Sequence, residues 1–301
     1  MINLFQKTSS NWVRYESYEL NTADDGLRYV TPAPDSKPVI YDPLENSEDM
    51  VIDALNVGTL CMSREKDDII QAAVMEFVSK YGLLGFMTAL PTTPKFLDYE
   101  AAYFPTNHFI KDESMLSQKY AMMFFPFTKP DLQTVKGETV WNISGDRIMI
   151  ALAHTFDGKP MAQNLSFQRE YAEPYDWLVT QFRDWAFTFV SSFLYYEDYD
   201  KNDETTRDLY RQGMAAFGGI APTYHIALLD KPTIVWDFNS LLLGIQMMFS
   251  FVLVDDKKPL RMCKHCQKVF AAGHANAAFC SPKCKNQYNV YKTRAKKKGA
   301  E

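Results

Sequence analysis

The stretch 260-LRMCKHCQKVFAAGHANAAFCSPKCKNQYNVYKTRAKKK-298 decides how this chain is read. Cys263 and Cys266 stand as C-x2-C, thirteen residues follow, and Cys280 and Cys284 stand as C-x3-C. Each pair presents two thiolates to one tetrahedral zinc ion, and the spacer is short enough to loop around it. Backbone amides of a C-x2-C knuckle point at the sulfurs and offset their charge. Ser281 is placed to cap a helix and Pro282 to open it, so that Cys284 leaves its first turn. There the helix dipole favours a thiolate.

The rival readings of these cysteines are weaker. A cluster of buried thiols leaves both spacings and the caps unexplained. A redox C-x-x-C lacks a surrounding βαβ pattern and leaves Cys280 and Cys284 without a role. His265, at the tip of the knuckle, and His274, in the loop after it, are the alternative donors. Four thiolates close the coordination shell, and no Asp or Glu lies between Lys257 and Ala300 to serve as a general base. The zinc expected here is therefore structural, one ion per chain.

Charge changes sign at the same place. Residues 257–301 hold twelve Lys/Arg and one acidic residue, a balance of +11, whereas the preceding residues sum to −16 and the whole chain to −5. A tetrathiolate zinc carries a formal −2, which leaves the tail near +9. Such a tail suits a polyanion, while the acidic body does not. With 301 residues, 47% hydrophobic and 14% aromatic, the body can bury a sizeable core. The start, MINLFQKTSSNW, has no signal-peptide pattern, and the apolar run Leu241–Val254 is too short to span a bilayer. The expectation is a cytoplasmic protein without a membrane partner, where five cysteines favour metal over disulfides.

Working back from the cysteines, Asp255-Asp256-Lys257-Lys258-Pro259 reads as a linker. It divides the chain into an acidic, aromatic-rich body over residues 1–256 and a basic finger over 257–301. In the body, the prolines of the first 45 residues mark irregular or edge structure, and Ser47–Leu60 reads as a short helix. Ser63 is the expected cap of a helix over 64–81, with Ile70, Val74, Phe77, Val78 and Tyr81 on one face and Gly82 as its stop. Strands are expected at Met122–Phe127, Thr139–Ile143 and Arg147–Ala153, with Ser144-Gly145-Asp146 as a turn. Glu173-Pro174 suits the first turn of a helix whose stripe is Leu178, Phe182, Trp185, Phe189 and Phe193. A helix over Glu204–Phe217 stops at Gly218-Gly219. A hairpin over 223–237 turns at Asp230-Lys231-Pro232, and Asn239 or Ser240 caps a buried helix to about Val254. The fold class is α+β: a mainly helical N-terminal body with a few antiparallel strands, followed by a small C-terminal treble-clef-like zinc finger.

Cys263-Lys264-His265-Cys266-Gln267-Lys268-Val269-Phe270, with Phe279-Cys280-Ser281 and Cys284-Lys285-Asn286-Gln287, resembles the bacterial CGNR-type zinc finger. That finger ends proteins carrying the ABATE domain, often described as stress-linked transcription regulators. Lys285 and Gln287 stand where the family motif has glycine and arginine, and the spacer before Cys284 is one residue shorter. Short treble-clef fingers with Phe/Tyr-Cys-Ser-x-Lys-Cys and a basic helix are similar too. The resemblance covers residues 260–298 and implies a DNA-associated finger; it implies nothing specific for the body.

Beyond Cys284, a basic helix carries Lys285, Gln287, Lys292, Arg294, Lys296, Lys297 and Lys298 as the expected nucleic-acid contacts, with Tyr288 and Tyr291 expected to pack on Phe270 and Phe279, stacking on a base being the other reading. Lysines reach phosphates with little geometric demand, whereas Arg294, Asn286, Gln287 and Asn289 are the side chains able to read base edges. The leading expectation is a zinc-finger nucleic-acid-binding protein, a transcription regulator on DNA ahead of RNA, with a homodimer sharpening its specificity. The alternatives are a protein-interaction module, whose finger docks on an acidic partner or on its own body, and an enzyme addressed to nucleic acid by the finger. His108, His154 and His225 are isolated, Asp24-Asp25 and Asp67-Asp68 read as solvated charge or helix starts, and no G-x-S-x-G, P-loop, GxGxxG or H-E-x-x-H motif occurs. The reading is accordingly of a non-enzyme. The stripe around Trp177 and Cys61 read as core.

Overall fold

The computed structural model describes residues 8–63, 65–85, 102–103, 114–116, 119, 123–127, 169, 171–192, 202–216, 223–238, 240–254, 259–274 and 277–298. Among these, the chain is a mixed α+β fold with six α-helices and several mostly antiparallel strand pairs. It divides into two compact units, Met1–Ser47 with Lys66–Gln181 and Ile220–Gln246, and Glu48–Glu65 with Phe182–Gly219 and Met247–Glu301.

The first unit begins with short strands. β1 is Thr8–Ser10, β2 Trp12–Tyr15, β3 Tyr18–Thr22, β4 Arg28–Pro32 and β5 Pro38–Tyr41. β2 pairs antiparallel with β5 and β3 with β4, while the two-residue β8, Glu173–Pro174, joins the other side of β4. A further pair, β6 (Ala102–Tyr103) and β7 (Ser114–Met115), belongs to the same unit. Trp12, Val13, Tyr15 and Val30 of the strands are buried, as are Val74, Phe77, Val78 and Tyr81 of helix α2 (Asp67–Tyr81).

Helix α2 starts later than the sequence suggests. Its N-cap is Lys66, with no side-chain cap, and Asp67 and Asp68 supply the negative charge of its first turn. Ser63 instead closes the preceding helix α1 (Ser47–Met62), donating its hydroxyl to the Leu60 carbonyl at 2.6 Å. A serine between two helices can serve either end, and here both its N–H and its hydroxyl donate to the Leu60 carbonyl of α1. Gly82 stops α2 as expected, at φ +94°, with its N–H on the Val78 carbonyl at 2.7 Å.

From that glycine the chain enters the core as Leu83-Leu84-Gly85 and meets Glu173, which is fully buried. Its carboxylate accepts the Leu84 N–H at 2.9 Å, the Gly85 N–H and the Tyr171 hydroxyl at 2.6 Å. This is why Glu173-Pro174 pairs as a strand and helix α3 (Tyr175–Ser192) begins one residue later.

β9 (Thr223–Leu228) and β10 (Pro232–Asp237) form the expected hairpin, and β1 adds to β10 in parallel. His225, isolated in the sequence, lies on the exposed strand β9 and bonds Asp237 at 2.8 Å. Ser240 caps helix α5 (Leu241–Leu253), accepting the Leu243 N–H at 3.2 Å.

In the second unit α1 crosses α3 at Gly58, where an added Cβ would collide with the Phe182 carbonyl and the Ala186 Cβ. Trp185 and Phe189 of α3 pack edge-on to Phe249 of α5, with ring centroids 5.4 and 5.7 Å apart. Leu178, Phe182, Trp185 and Phe189 are all buried, as the helical stripe requires. Helix α4 (Glu204–Ala216) carries exposed ion pairs from Arg211 to Glu204 and Asp208.

Residues 123–127, expected as strand, form turns and bends instead, with Phe124 and Phe125 buried against Tyr171. Those rings satisfy the apolar signal without a ladder. The strands expected at 139–143 and 147–153 with their turn, His108, His154, Phe193, Gly218-Gly219, Asn239 and the linker 255–258 lie outside the described residues. Among the described residues, no helix is long and apolar enough to cross a membrane.

Candidate metal centre

Two short strands shape the first half of the site. β11 (Leu260–Met262) and β12 (Val269–Ala271) pair antiparallel with Met262 opposite Val269. The turn between them is a knuckle: the Cys263 N–H donates to the Lys268 carbonyl and the Gln267 N–H to the Cys263 carbonyl, both at 2.9 Å. Gln267 takes φ +58°, the left-handed conformation that a tight reversal needs and that costs about 1–2 kcal/mol without glycine. The Lys264 N–H then donates to the Ala278 carbonyl at 3.0 Å, which lays the second cysteine pair against the knuckle.

Helix α6 (Pro282–Lys298) supplies the other half. Ser281 caps it, accepting the Cys284 N–H on its hydroxyl at 3.2 Å, and Pro282 is the first helical residue. Cap, proline and cysteine thus fall where the sequence puts them.

The Sγ atoms of Cys263, Cys266, Cys280 and Cys284 all lie within 4.8 Å of one another. Cys266 and Cys280 are 3.6 Å apart, Cys280 and Cys284 3.5 Å. A tetrahedral ion with ligands at about 2.3 Å separates its sulfurs by roughly 3.8 Å. The cluster therefore has the size and donor chemistry to hold a metal ion, and zinc is consistent with both. Among the described residues it is the one group of three or more Cys, His, Asp or Glu donors close enough to share an ion. Cys61 is apart from it, and burial pushes its thiol up to about 11.

Ionisation within the cluster is uneven. Burial raises the Cys263 thiol, but the backbone N–H groups of Cys266, Cys280 and His265 outweigh it and bring the group well below an ordinary thiol. Cys280 moves the other way, raised by burial and then by the neighbouring sulfurs of Cys284, Cys266 and Cys263. Cys263 thus favours the anion while Cys266 and Cys280 resist charging, a conflict that a cation among them relieves.

Packing around the sulfurs is aromatic. Phe279 meets Tyr288 at 5.2 Å between centroids, as expected. Tyr291 departs from expectation: its ring stacks on His265, 5.7 Å between centroids and 19° between planes, so His265 serves the surface and stays out of the donor set.

The hairpin is also held from the body side of the sequence. Asn56 of α1 accepts the Val269 N–H on Oδ1 at 2.7 Å and donates Nδ2 to the Val269 carbonyl at 3.2 Å. The amide replaces a strand partner for one residue of β12. Sequence reasoning missed Asn56; its one signal is an amide inside the otherwise apolar run of α1, where it needs partners. Glu173 was missed as well, read only as a helix start.

Of the expected nucleic-acid contacts, Lys285, Gln287, Lys292 and Arg294 are exposed on α6, together with Lys283 on the same helix. Lys296, Lys297 and Lys298 belong to its last turn. Among the described residues, no ion pair engages Lys283, Lys285, Lys292 or Arg294. In comparisons with known proteins, the chain matches no family model, no curated protein and no solved structure.

Proposed function

We propose that the chain is a zinc-finger nucleic-acid-binding protein, a transcription regulator of the kind its likeness to CGNR-type fingers implies. Cys263, Cys266, Cys280 and Cys284 would hold one zinc ion in a treble-clef-like arrangement. The ion supplies cross-linking, with no part in a reaction. Its effect is to fix the first turn of α6 against the knuckle, so that the helix leaves the site as a rigid rod.

The observation that carries the reading is the union of these two features, a thiol cluster of metal-binding size directly beneath a helix whose Lys283, Lys285, Lys292 and Arg294 are exposed and, among the described residues, engaged in no ion pair. Lys285 and Lys292, seven residues apart, lie on one stripe of α6, and Lys283, Gln287 and Arg294 on another. Two cationic stripes suit contact with phosphates on either side of a groove, and Gln287 and Arg294 are side chains that can reach base edges. Catalysis by the chain itself has no place in the proposal.

The test is salt dependence on the full chain. With about five phosphates engaged on duplex DNA, log K falls against log salt with a slope near −4 to −5. Lys292→Ala and Arg294→Ala each flatten it by about 0.9. Affinity that ignores salt on both DNA and RNA removes the proposal.

A second reading has one observation in its favour. The Asn56 bonds to Val269 hold the finger's hairpin to α1, as an interaction module docked on its own body requires. That docking uses the hairpin and leaves the cations of α6 outward, so it is compatible with nucleic-acid binding. The two readings separate when Asn56→Ala is compared with the parent: self-inhibition predicts that the variant binds nucleic acid tighter.

A further inference from the structure

Tyr291 is an aromatic ring offered to solvent, whereas Phe270, Phe279 and Tyr288 of the same finger are half-buried. It is 58% exposed, yet its orientation is set, because His265 from the knuckle lies flat against it with 19° between the planes. A ring held in this way loses little freedom when something stacks on its open side. Around it on α6, Gln287 and Arg294 stand four residues before and three after, which at helical spacing puts amide, phenol ring and guanidinium on one exposed stripe. Lys264 beside His265 and Lys292 beside Tyr291 are exposed cations.

We infer that this stripe is a binding site for an unpaired nucleobase, and hence that the nucleic acid engaged by the finger is single-stranded at the point of contact. The inference rests on the nucleic-acid reading above and narrows it. In an undistorted duplex, both faces of each base are covered by neighbouring pairs, so a helix in a groove meets base edges rather than ring faces. A tyrosine presented face-out finds no base face to stack on there. An unpaired base offers a free π-face to stack on Tyr291, continuing the column begun by His265. Its Watson–Crick edge then lies open to Gln287, and the flanking phosphates to Lys264, Lys292 and Arg294. Bases in RNA loops and in melted DNA share this chemistry.

The experiment uses the full, zinc-loaded chain and four labelled probes, each titrated over a range of salt concentrations and compared at equal salt: a DNA strand, an RNA strand of the same sequence, the DNA duplex, and the DNA strand with its central nucleotides abasic. Either single strand binding tighter than the duplex, with the abasic strand weakened about tenfold, is the expected result. The tighter of the two strands identifies the source of the base. Tyr291→Leu weakens the intact strand by a similar factor without changing the salt slope, and Tyr291→Phe restores the affinity. The abasic comparison needs no substitution, so it stands even where Tyr291→Leu disturbs the finger. An abasic strand bound as tightly as the intact one overturns the stacking site while leaving phosphate binding in place. The absence of salt-dependent binding to every probe removes both proposals at once.

Discussion

Among the described residues, Glu173 is the one buried charged side chain. Three donors converge on its carboxylate and pull its ionisation down, but burial dominates and lifts it to about 7. In the unfolded chain the same group titrates near 4.3. The folded state therefore keeps a proton that the unfolded state has lost, and this contribution is full below about pH 4.3. Stability then falls by about 4 kcal/mol in total as pH rises to about 7, and is level above. Glu173→Gln removes that slope, and its amide points an N–H at one of three donors, a cost of about 1–3 kcal/mol. Urea midpoints at pH 5 and pH 8 check both outcomes: the parent loses more stability between them than the variant does. Nothing in the sequence around Glu173 announces this burial, since Glu-Pro is an ordinary helix opening. The donors come from Leu84 and Gly85, nearly ninety residues earlier.

Elements were legible where their signals are local. Ser281 and Pro282 cap and open α6, Gly82 stops α2, and the β9–β10 hairpin turns at Asp230-Lys231. Ser63 misled because one hydroxyl near two helix ends can bond either, and here it donates back to the Leu60 carbonyl, a choice that spacing does not decide. The packing of elements was not legible. At Gly58 the backbones of α1 and α3 touch, and a glycine within a helix ordinarily suggests only a weak position. Gly58→Ala gains about 1 kcal/mol of helix propensity but forces the two helices apart, so the net effect is a loss of about 1–3 kcal/mol in chemical denaturation. Asn56 ties α1 to β12 across 213 residues. Asn56→Ala leaves the Val269 N–H and carbonyl unpaired and costs about 1–3 kcal/mol. Hydrogen exchange should show faster amides at Val269 with those of α2 unchanged; protection retained at Val269 would mean that the clamp contributes nothing.

At the scale of the molecule, the division of charge was plain in the sequence, because it needs only counting: −16 before residue 257 and +11 from there on. The division of structure was not. The compact unit that contains the finger also takes in Glu48–Glu65 and Phe182–Gly219, so its members are scattered along the chain. Stripping the metal with a chelator should therefore affect more than the last forty residues. Exchange should quicken throughout 260–298 and also at α1 near Asn56, while the α2 core of the first unit stays protected. The central claim is that four thiolates close around one zinc ion. Native mass spectrometry of the full chain tests it most directly, since one mass distinguishes metal, free thiols and disulfides. The account predicts one zinc per chain, lost in Cys263→Ser and in Cys280→Ser. A metal-free chain with two disulfides, or zinc retained after either substitution, would contradict it.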